Sequence, residues 1–147
     1  MSQPSTSTHV PRRAPSRGRG LSDRALQRVT DCIRANLAEN LSLRRLAEAA
    51  CISRFHFARL FRARMGMSPM QYVRLERIAM ARYLLARSDA PNLSRIAAAL
   101  GFFDQSHFTR VFGRMTGQSP GHYARTQVNA RAAPAMIVPS QSRVSVK

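Results

Sequence analysis

Two stretches of this 147-residue sequence repeat one another: His56-Phe57-Ala58-Arg59-Leu60-Phe61 and His107-Phe108-Thr109-Arg110-Val111-Phe112. The same offset of 51 residues also relates Gly66-Met67-Ser68-Pro69 to Gly117-Gln118-Ser119-Pro120 and Tyr72 to Tyr123. Upstream, the stretch from Leu43 to Ala47 matches Leu93 to Ala97 at an offset of 50, which indicates one added residue near Phe103. The chain therefore contains one structural unit twice.

Each unit has the pattern of a helix-turn-helix. In the first, a short helix is predicted from Ser42 to Ala50, and a longer helix begins at Ser53 and ends at Gly66. Phe57 and Phe61 face inward at helical spacing, together with Leu60. In a helix-turn-helix the second helix enters the major groove of DNA. A protein-binding repeat of helical hairpins is the alternative, but two copies are fewer than the roughly three that such arrays need.

The remaining sequence also has a helical pattern, which predicts an all-α domain. A first helix is predicted from its N-cap Ser22 to about Glu39, and Ser68 and Pro69 open a long central helix that joins the two units. This linker, at residues 68–88, should be roughly 28 Å long. Gly101 suits a left-handed turn in the second unit (92–117), whereas the first unit (42–66) has Cys51 at the matching position.

Both ends of the chain have the composition of disordered segments. Residues 1–20 contain three prolines and four arginines, Arg12, Arg13, Arg17 and Arg19, and are predicted to form a disordered basic arm. This arm could follow phosphates or a minor groove, or could be a solvated tail. Residues 127–147 are predicted to be a disordered tail, which leaves a folded domain at 21–126.

The charge indicates a polyanionic partner. There are 24 basic residues against 7 acidic ones, a net charge of +17, and Lys147 is the only lysine. Guanidinium groups suit phosphates and guanine edges. We predict no enzyme and no cofactor, because the sequence has no nucleophile-elbow motif and no phosphate-binding glycine loop. No metal site is expected from Cys32, Cys51 and the histidines, and no apolar run could span a membrane, so the predicted location is the cytoplasm.

The second unit carries a family resemblance. The run from Gly101 to Phe112, continuing through Gly117-Gln118-Ser119-Pro120 to Tyr123, resembles the signature of the AraC/XylS family of bacterial transcription regulators. The resemblance covers about residues 22–125 and implies a domain of seven helices with two helix-turn-helix units that read successive major-groove segments. Most members carry a further, larger domain; this chain resembles the short stand-alone members, which act as monomers, and a truncated longer regulator is the alternative. The resemblance further implies promoter binding next to RNA polymerase, usually with activation.

The family's DNA-contacting positions fall on Ser53, Arg54, Phe55, Ala58, Arg59 and Arg62 in the first unit and on Gln105, Ser106, His107, Thr109 and Arg110 in the second. Arg59 is predicted to bind guanine, with a phosphate contact or a solvated surface position as the alternative. Phe55 is predicted to pack on a thymine methyl group, with a helix staple or core edge as the alternative. Ala58 and Gly113 depart from the family's polar and basic residues, and Asp104 is expected to cap its helix.

The predicted function is that of a sequence-specific regulator that reads a bipartite site on double-stranded DNA. Because adjacent major grooves are about 34 Å apart, we expect the shorter linker to require DNA bending or incomplete insertion of one helix. A non-specific nucleoid-type protein would share the charge but would not need a duplicated, capped helix-turn-helix. A membrane-active cationic peptide is disfavoured because the helices bury aromatic side chains.

Overall fold

The computed structural model describes residues 20–132, and within this range the chain forms seven helices and no strand. The helices are α1 (Asp23–Ala35), α2 (Leu43–Ala50), α3 (Arg54–Met65), α4 (Pro69–Ala86), α5 (Leu93–Ala99), α6 (Gln105–Thr116) and α7 (Pro120–Ala132). The predicted all-α fold with seven helices is confirmed. The predicted basic arm, apart from Gly20, and residues 133–147 of the predicted tail lie outside the described residues.

Short polar side chains determine where most of the helices begin. Ser22, Ser42, Ser68, Asn92 and Asp104 each accept a hydrogen bond from the backbone N–H three residues later. At Ser68 the cap is reciprocal, because the Gln71 side chain also accepts from the Ser68 amide. Ser53 occupies the N-cap of α3 as predicted, but its hydroxyl makes no capping hydrogen bond.

The duplication in the sequence produces two separate cores with the same aromatic arrangement. In the first, the ring centroids of Phe57 and Phe61 lie 5.4 Å apart, and Tyr72 meets Phe61 edge-on at 5.6 Å. In the second, Phe108, Phe112 and Tyr123 repeat this chain at 5.6 and 5.7 Å. All four phenylalanines are fully buried, which confirms their assignment to the core rather than to a stacking surface.

Helix α4 belongs to both units. Val73 packs in the first core with α1, α2 and α3, whereas Ile78 packs in the second with α5, α6 and α7. The 18 residues of α4 span about 27 Å. The helix therefore carries one helix-turn-helix unit at each end.

Both turns contain a residue in the left-handed backbone conformation, although the two residues differ. Gly101 has a φ of 68°, and Cys51, at the matching position, has a φ of 59°. The residue added in the second turn is accommodated at Phe103, which is 92% exposed. The insertion therefore lengthens the turn towards solvent and leaves the second core intact.

Two predicted boundaries are wrong. Helix α1 ends at Ala35 rather than near Glu39, because Asn36 ends the helix: its side-chain amide donates to the Cys32 carbonyl at 2.7 Å. The folded domain extends past residue 126, because α7 continues to Ala132. Gln127 and Val128 are half-buried and Arg131 forms an ion pair with Asp89, features of this last part of α7 that composition did not reveal.

Candidate nucleic-acid interface

The exposed face of α3 lies opposite its buried phenylalanines. Arg54, Phe55, Arg59 and Arg62 are exposed, and Ala58 between them is half-buried. The 3.6-residue period puts these positions on one side of the helix. The structure therefore brings the predicted first-unit residues together on one surface, with Ser53 exposed at its N-terminal end.

Two contacts order the arginines of this face. The Arg54 guanidinium stacks over the Phe55 ring, with its central carbon 4.7 Å from the ring centroid. The Arg59 Nη2 lies 3.2 Å from the His56 Nδ1. Because an arginine only donates hydrogen bonds, the His56 Nδ1 accepts and the ring proton is on Nε2. The sequence drew attention to His56 only as a possible metal ligand. The spacing of three residues between His56 and Arg59 is the sequence signal that could have predicted their contact.

The first residues of α6 are fixed more firmly than those of α3. Asp104 caps the helix by accepting from the His107 amide at 2.6 Å, which confirms its predicted role. The Gln105 Oε1 accepts from the Ser94 hydroxyl of α5 at 2.5 Å. Ser106 and Arg110 are exposed, whereas Thr109 is half-buried. Gln105 therefore retains its amide N–H groups for another partner.

His107 is less available for contact than the predicted set implied. Its side chain is half-buried and packs edge-on against Phe102, with ring centroids 5.7 Å apart. Its Nδ1 is buried and has no hydrogen-bond partner among the described residues. The matching histidine of the first unit, His56, is exposed, so the two repeat positions differ in environment.

Two arginines outside the predicted set line a cleft between the units. The cleft has a volume of about 580 Å³; Arg74 and Leu75 of α4 line one side, and His107, Arg114 and Met115 of α6 line the other. The sequence does not identify Arg74 and Arg114 as candidate binding residues, because each has the pattern of an ordinary exposed helix residue. Their joint placement depends on how the two units pack. The cleft adds positive charge between α4 and α6.

The acidic residues form no ion pair with the arginines on the exposed faces of α3 and α6, the two recognition faces. Five of the seven pair with Arg34, Arg44, Arg45, Arg64 and Arg131. Of the other two, Asp31 accepts from Gln27 and Asp104 caps α6. Within residues 20–132, Arg54, Arg59, Arg62, Arg74, Arg110 and Arg114 form no ion pair. The exposed faces of α3 and α6 and the cleft between α4 and α6 can therefore bind an anion without first breaking an ion pair.

Among residues 20–132, no three His, Cys, Asp or Glu side chains come together as a metal-binding group. No helix within the same range combines the length and apolar character needed to cross a bilayer.

Comparison with known proteins supports the same interpretation. A family model described as a helix-turn-helix domain matches residues 46–126. The chain is 35% identical over 95 residues to the protein named "Probable transcriptional regulator LumQ" from Photobacterium leiognathi, and the match covers 65% of this chain and 38% of that protein. The chain spans about a third of the length of the curated relatives it matches.

Solved structures match over most of their length. The DNA-binding domain of AdpA, a global transcriptional factor crystallised with a target DNA, has a TM-score of 0.68 and 29% identity, covering 76% of this chain and 98% of that one. A transcriptional regulator with an AraC-type DNA-binding domain from Chromobacterium violaceum has a TM-score of 0.66 and 26% identity, covering 70% and 91%. Since the family model matches more than half of the sequence and these neighbours share the fold, the chain belongs to the AraC-type family of helix-turn-helix DNA-binding domains.

Proposed function

We propose that the protein is a transcription regulator that reads a bipartite site on double-stranded DNA as a monomer. The observation that carries this proposal is the duplication: each unit exposes an arginine-bearing helix face, opposite a buried pair of phenylalanines, at one end of α4. Two like units in one chain can occupy two major-groove segments without a second copy of the protein.

Within the first unit, Arg59 is the residue we assign to guanine. Its guanidinium can donate to O6 and N7 of guanine together, and the contact with His56 restricts its position before DNA binds. Phe55 would pack against a thymine methyl group, and Arg54, stacked on Phe55, would contact the backbone. The Ser53 hydroxyl, which does not cap α3, would donate to a phosphate.

Within the second unit, Arg110 and Gln105 are assigned to base edges. Arg110 is exposed, and the amide N–H groups of Gln105 can donate to a purine while Ser94 holds its carbonyl oxygen. Ser106 and Thr109 would contact the backbone or neighbouring bases, and half-buried His107 would support the helix from the side. Arg74 and Arg114 of the cleft would bind phosphates between the two boxes.

The biological role follows from this binding mode. The LumQ relative is named as a transcriptional regulator, and the AdpA domain was crystallised with a target DNA. We propose a cytoplasmic regulator that binds a promoter next to RNA polymerase and activates transcription, without enzymatic activity of its own. Because α4 spans about 27 Å and successive major grooves are about 34 Å apart, the DNA between the boxes would bend towards the protein.

In vitro selection from a random duplex pool with the 147-residue chain tests this function. We expect enrichment of two boxes about one helical turn apart. An Arg110→Ala variant should lose sequence information in one box only, and an Arg44→Ala variant, whose arginine pairs with Glu48 within α2, should select the wild-type site. Selected duplexes with no common motif would contradict the proposal and favour a non-specific nucleoid-type protein. Selected duplexes with a single box would contradict bipartite reading.

A further inference from the structure

Arg77 of α4 connects the two helix-turn-helix units. Its Nε donates to the Leu37 carbonyl at 3.0 Å, and its Nη2 donates to the Glu39 carbonyl at 2.8 Å. Both acceptors lie in the loop between α1 and α2, which packs in the core of the first unit through Leu37 and Leu41. Its Nη1 donates to the Gly101 carbonyl at 2.9 Å, in the turn of the second unit. One guanidinium therefore bonds to backbone of both units.

Gly101 makes this close approach possible. A Cβ atom at this position would lie 2.8 Å from the carbonyl oxygens of Leu37 and Ala38, and 2.7 Å from the Arg77 Nη2. Contacts this short do not occur for real side chains, so the second turn packs directly on the backbone of the first unit. At the matching position of the first turn, Cys51 carries an exposed side chain.

The chemistry of arginine suits this position. Its five N–H donors form a planar fork that can reach three carbonyl oxygens at once, and it remains protonated in proteins. Arg77 is half-buried; burial lowers the pKa of its guanidinium, and the central carbon lies 5.9 Å from the Phe102 ring centroid. Removing the side chain would leave the partly buried carbonyl groups of Leu37 and Gly101 without this donor, which is more costly than losing an exposed contact.

Few other buried contacts connect the two units. Their two cores share no buried residue in the described part of the chain, and the boundary between them on α4 falls between Val73 and Ile78, beside Arg77. On another face of α4, the open cleft lined by Arg74 and Arg114 separates α4 from α6. The angle between the units therefore depends on the stiffness of α4, on the packing of Gly101 against the Leu37 and Ala38 carbonyls, and on the bonds made by Arg77.

We propose that Arg77 is a positioning residue that sets the relative orientation of the two recognition helices and thereby the spacing between the two DNA boxes that the protein accepts. The DNA part of this proposal rests on the bipartite reading proposed above. A change of one base pair moves one box by about 3.4 Å and rotates it by about 35°. A rigid protein rejects such a site, whereas a protein whose units can swivel tolerates it.

The first test needs no DNA. Spin labels are attached to Cys51 and to an introduced Phe103→Cys, both exposed turn positions of the two units, in a Cys32→Ala background. Pulsed electron resonance then measures the distribution of distances between the labels. We expect Arg77→Met to broaden the distribution about twofold. The matched control is Arg82→Met on the same helix, because Arg82 contacts Tyr123 within the second unit only; it should keep the original width.

The second test uses the selected site with the boxes moved closer together or further apart by one base pair. For the wild-type chain and for Arg82→Met, we expect affinity to fall at least about tenfold at the wrong spacing. For Arg77→Met the loss should be less than about threefold, with each single box still bound. A narrow distance distribution in Arg77→Met overturns the proposal, and so does an unchanged spacing preference. Failure to select any bipartite site would instead count against the proposed function. The distance measurement would still test whether Arg77 sets the relative orientation of the two units.

Arg77→Met could be too unstable to fold, which circular dichroism would reveal. Arg77→Lys is the second variant: it keeps the charge but lacks the planar fork needed to reach three carbonyl groups. We expect an intermediate broadening from folded Arg77→Lys. A distribution identical to that of the wild type would overturn the proposal.

Discussion

Cys51 and Gly101 adopt the same left-handed backbone at matching positions of the two turns, with φ angles of 59° and 68°. Glycine adopts this conformation without steric cost, whereas a residue with a Cβ pays roughly 1–2 kcal/mol. The first helix-turn-helix therefore retains backbone strain that the second one avoids. Cys51 is exposed, so no buried contact of its side chain offsets that strain.

Replacing Cys51 with glycine should stabilise the protein. We expect Cys51→Gly to raise the free energy of unfolding by about 0.5–1 kcal/mol, after allowing for the greater entropy of glycine in the unfolded chain. For a folded region of this size, that gain corresponds to an increase in Tm of roughly 2–8 °C. Urea denaturation of the full chain measures the change.

Cys51→Ala is the matched control, because alanine also removes the thiol but keeps the Cβ. We expect no gain in Tm from this variant. Equal stabilisation by alanine and glycine would assign the effect to the thiol and not to the backbone.

Glu76 of α4 is predicted to make stability depend on pH. Burial alone would raise the pKa of Glu76, but hydrogen bonds with Tyr72 and Arg34, together with the charge of Arg34, lower that pKa below its usual value. A carboxyl group with a lowered pKa stabilises the fold above the pKa of the unfolded chain and loses this effect as pH falls through the folded value. Glu76→Gln should therefore lower the free energy of unfolding at pH 7, and the difference from wild type should shrink below about pH 4.5.

The expected difference at pH 7 is below about 1 kcal/mol, because Arg34 is exposed and solvent screens the pair. Denaturation curves at pH 7, 5, 4 and 3 measure it. The control is Glu48→Gln, which removes a fully exposed pair with Arg44 within α2 and should change stability little at any pH. A Glu76→Gln difference that persists unchanged at pH 3 would show that packing, and not charge, explains the effect.

The sequence predicts those features that depend on neighbouring residues. The caps at Ser22, Ser68 and Asp104, the left-handed Gly101 and the buried phenylalanines follow from local chemistry and helical period, and each is confirmed. The predicted C-terminal end of α1 is wrong, because Leu37 continues the apolar pattern although Asn36 has already ended the helix. Arg77 gave no local signal, because its three carbonyl partners lie 24 to 40 residues away. The half-burial of His107 likewise depends on its contact with Phe102, and the repeat alone does not predict that contact.

Ser94 is predicted to affect DNA recognition through Gln105. Loss of its hydroxyl in Ser94→Ala frees the Gln105 carbonyl oxygen, so the amide must be ordered when DNA binds. We expect affinity for the selected site to fall about threefold to tenfold, with little change in Tm because both side chains are exposed. Fluorescence anisotropy with labelled duplex measures the loss, and Gln105→Ala should cause at least as large a loss. An Arg95→Ala variant on the same short helix controls for general changes in α5.

Arg110 should contribute to specificity more than to general affinity. Because a bidentate contact with guanine discriminates by about 1–3 kcal/mol, Arg110→Ala should weaken binding to the selected site by roughly 5- to 150-fold. Binding to random duplex should weaken far less. Competition assays on both duplexes measure the ratio, with Arg87→Ala, at the C-terminal end of α4, as the control. Equal losses on both duplexes would assign Arg110 to a phosphate contact instead.

The salt dependence of binding reports how many phosphates the arginines contact. On the order of eight contacts should give a slope of log affinity against log salt near −7, and a slope shallower than about −3 would contradict the proposed interface. Replacing both Arg74 and Arg114 with glutamine should reduce the slope by about 2, because each lost phosphate contact accounts for roughly 0.9. Arg44→Gln should leave the slope unchanged, since Arg44 lies on α2 and already pairs with Glu48. If the double variant kept the full slope, the cleft would not face the DNA backbone, and the phosphate contacts would have to come from the two recognition helices and the rest of the chain.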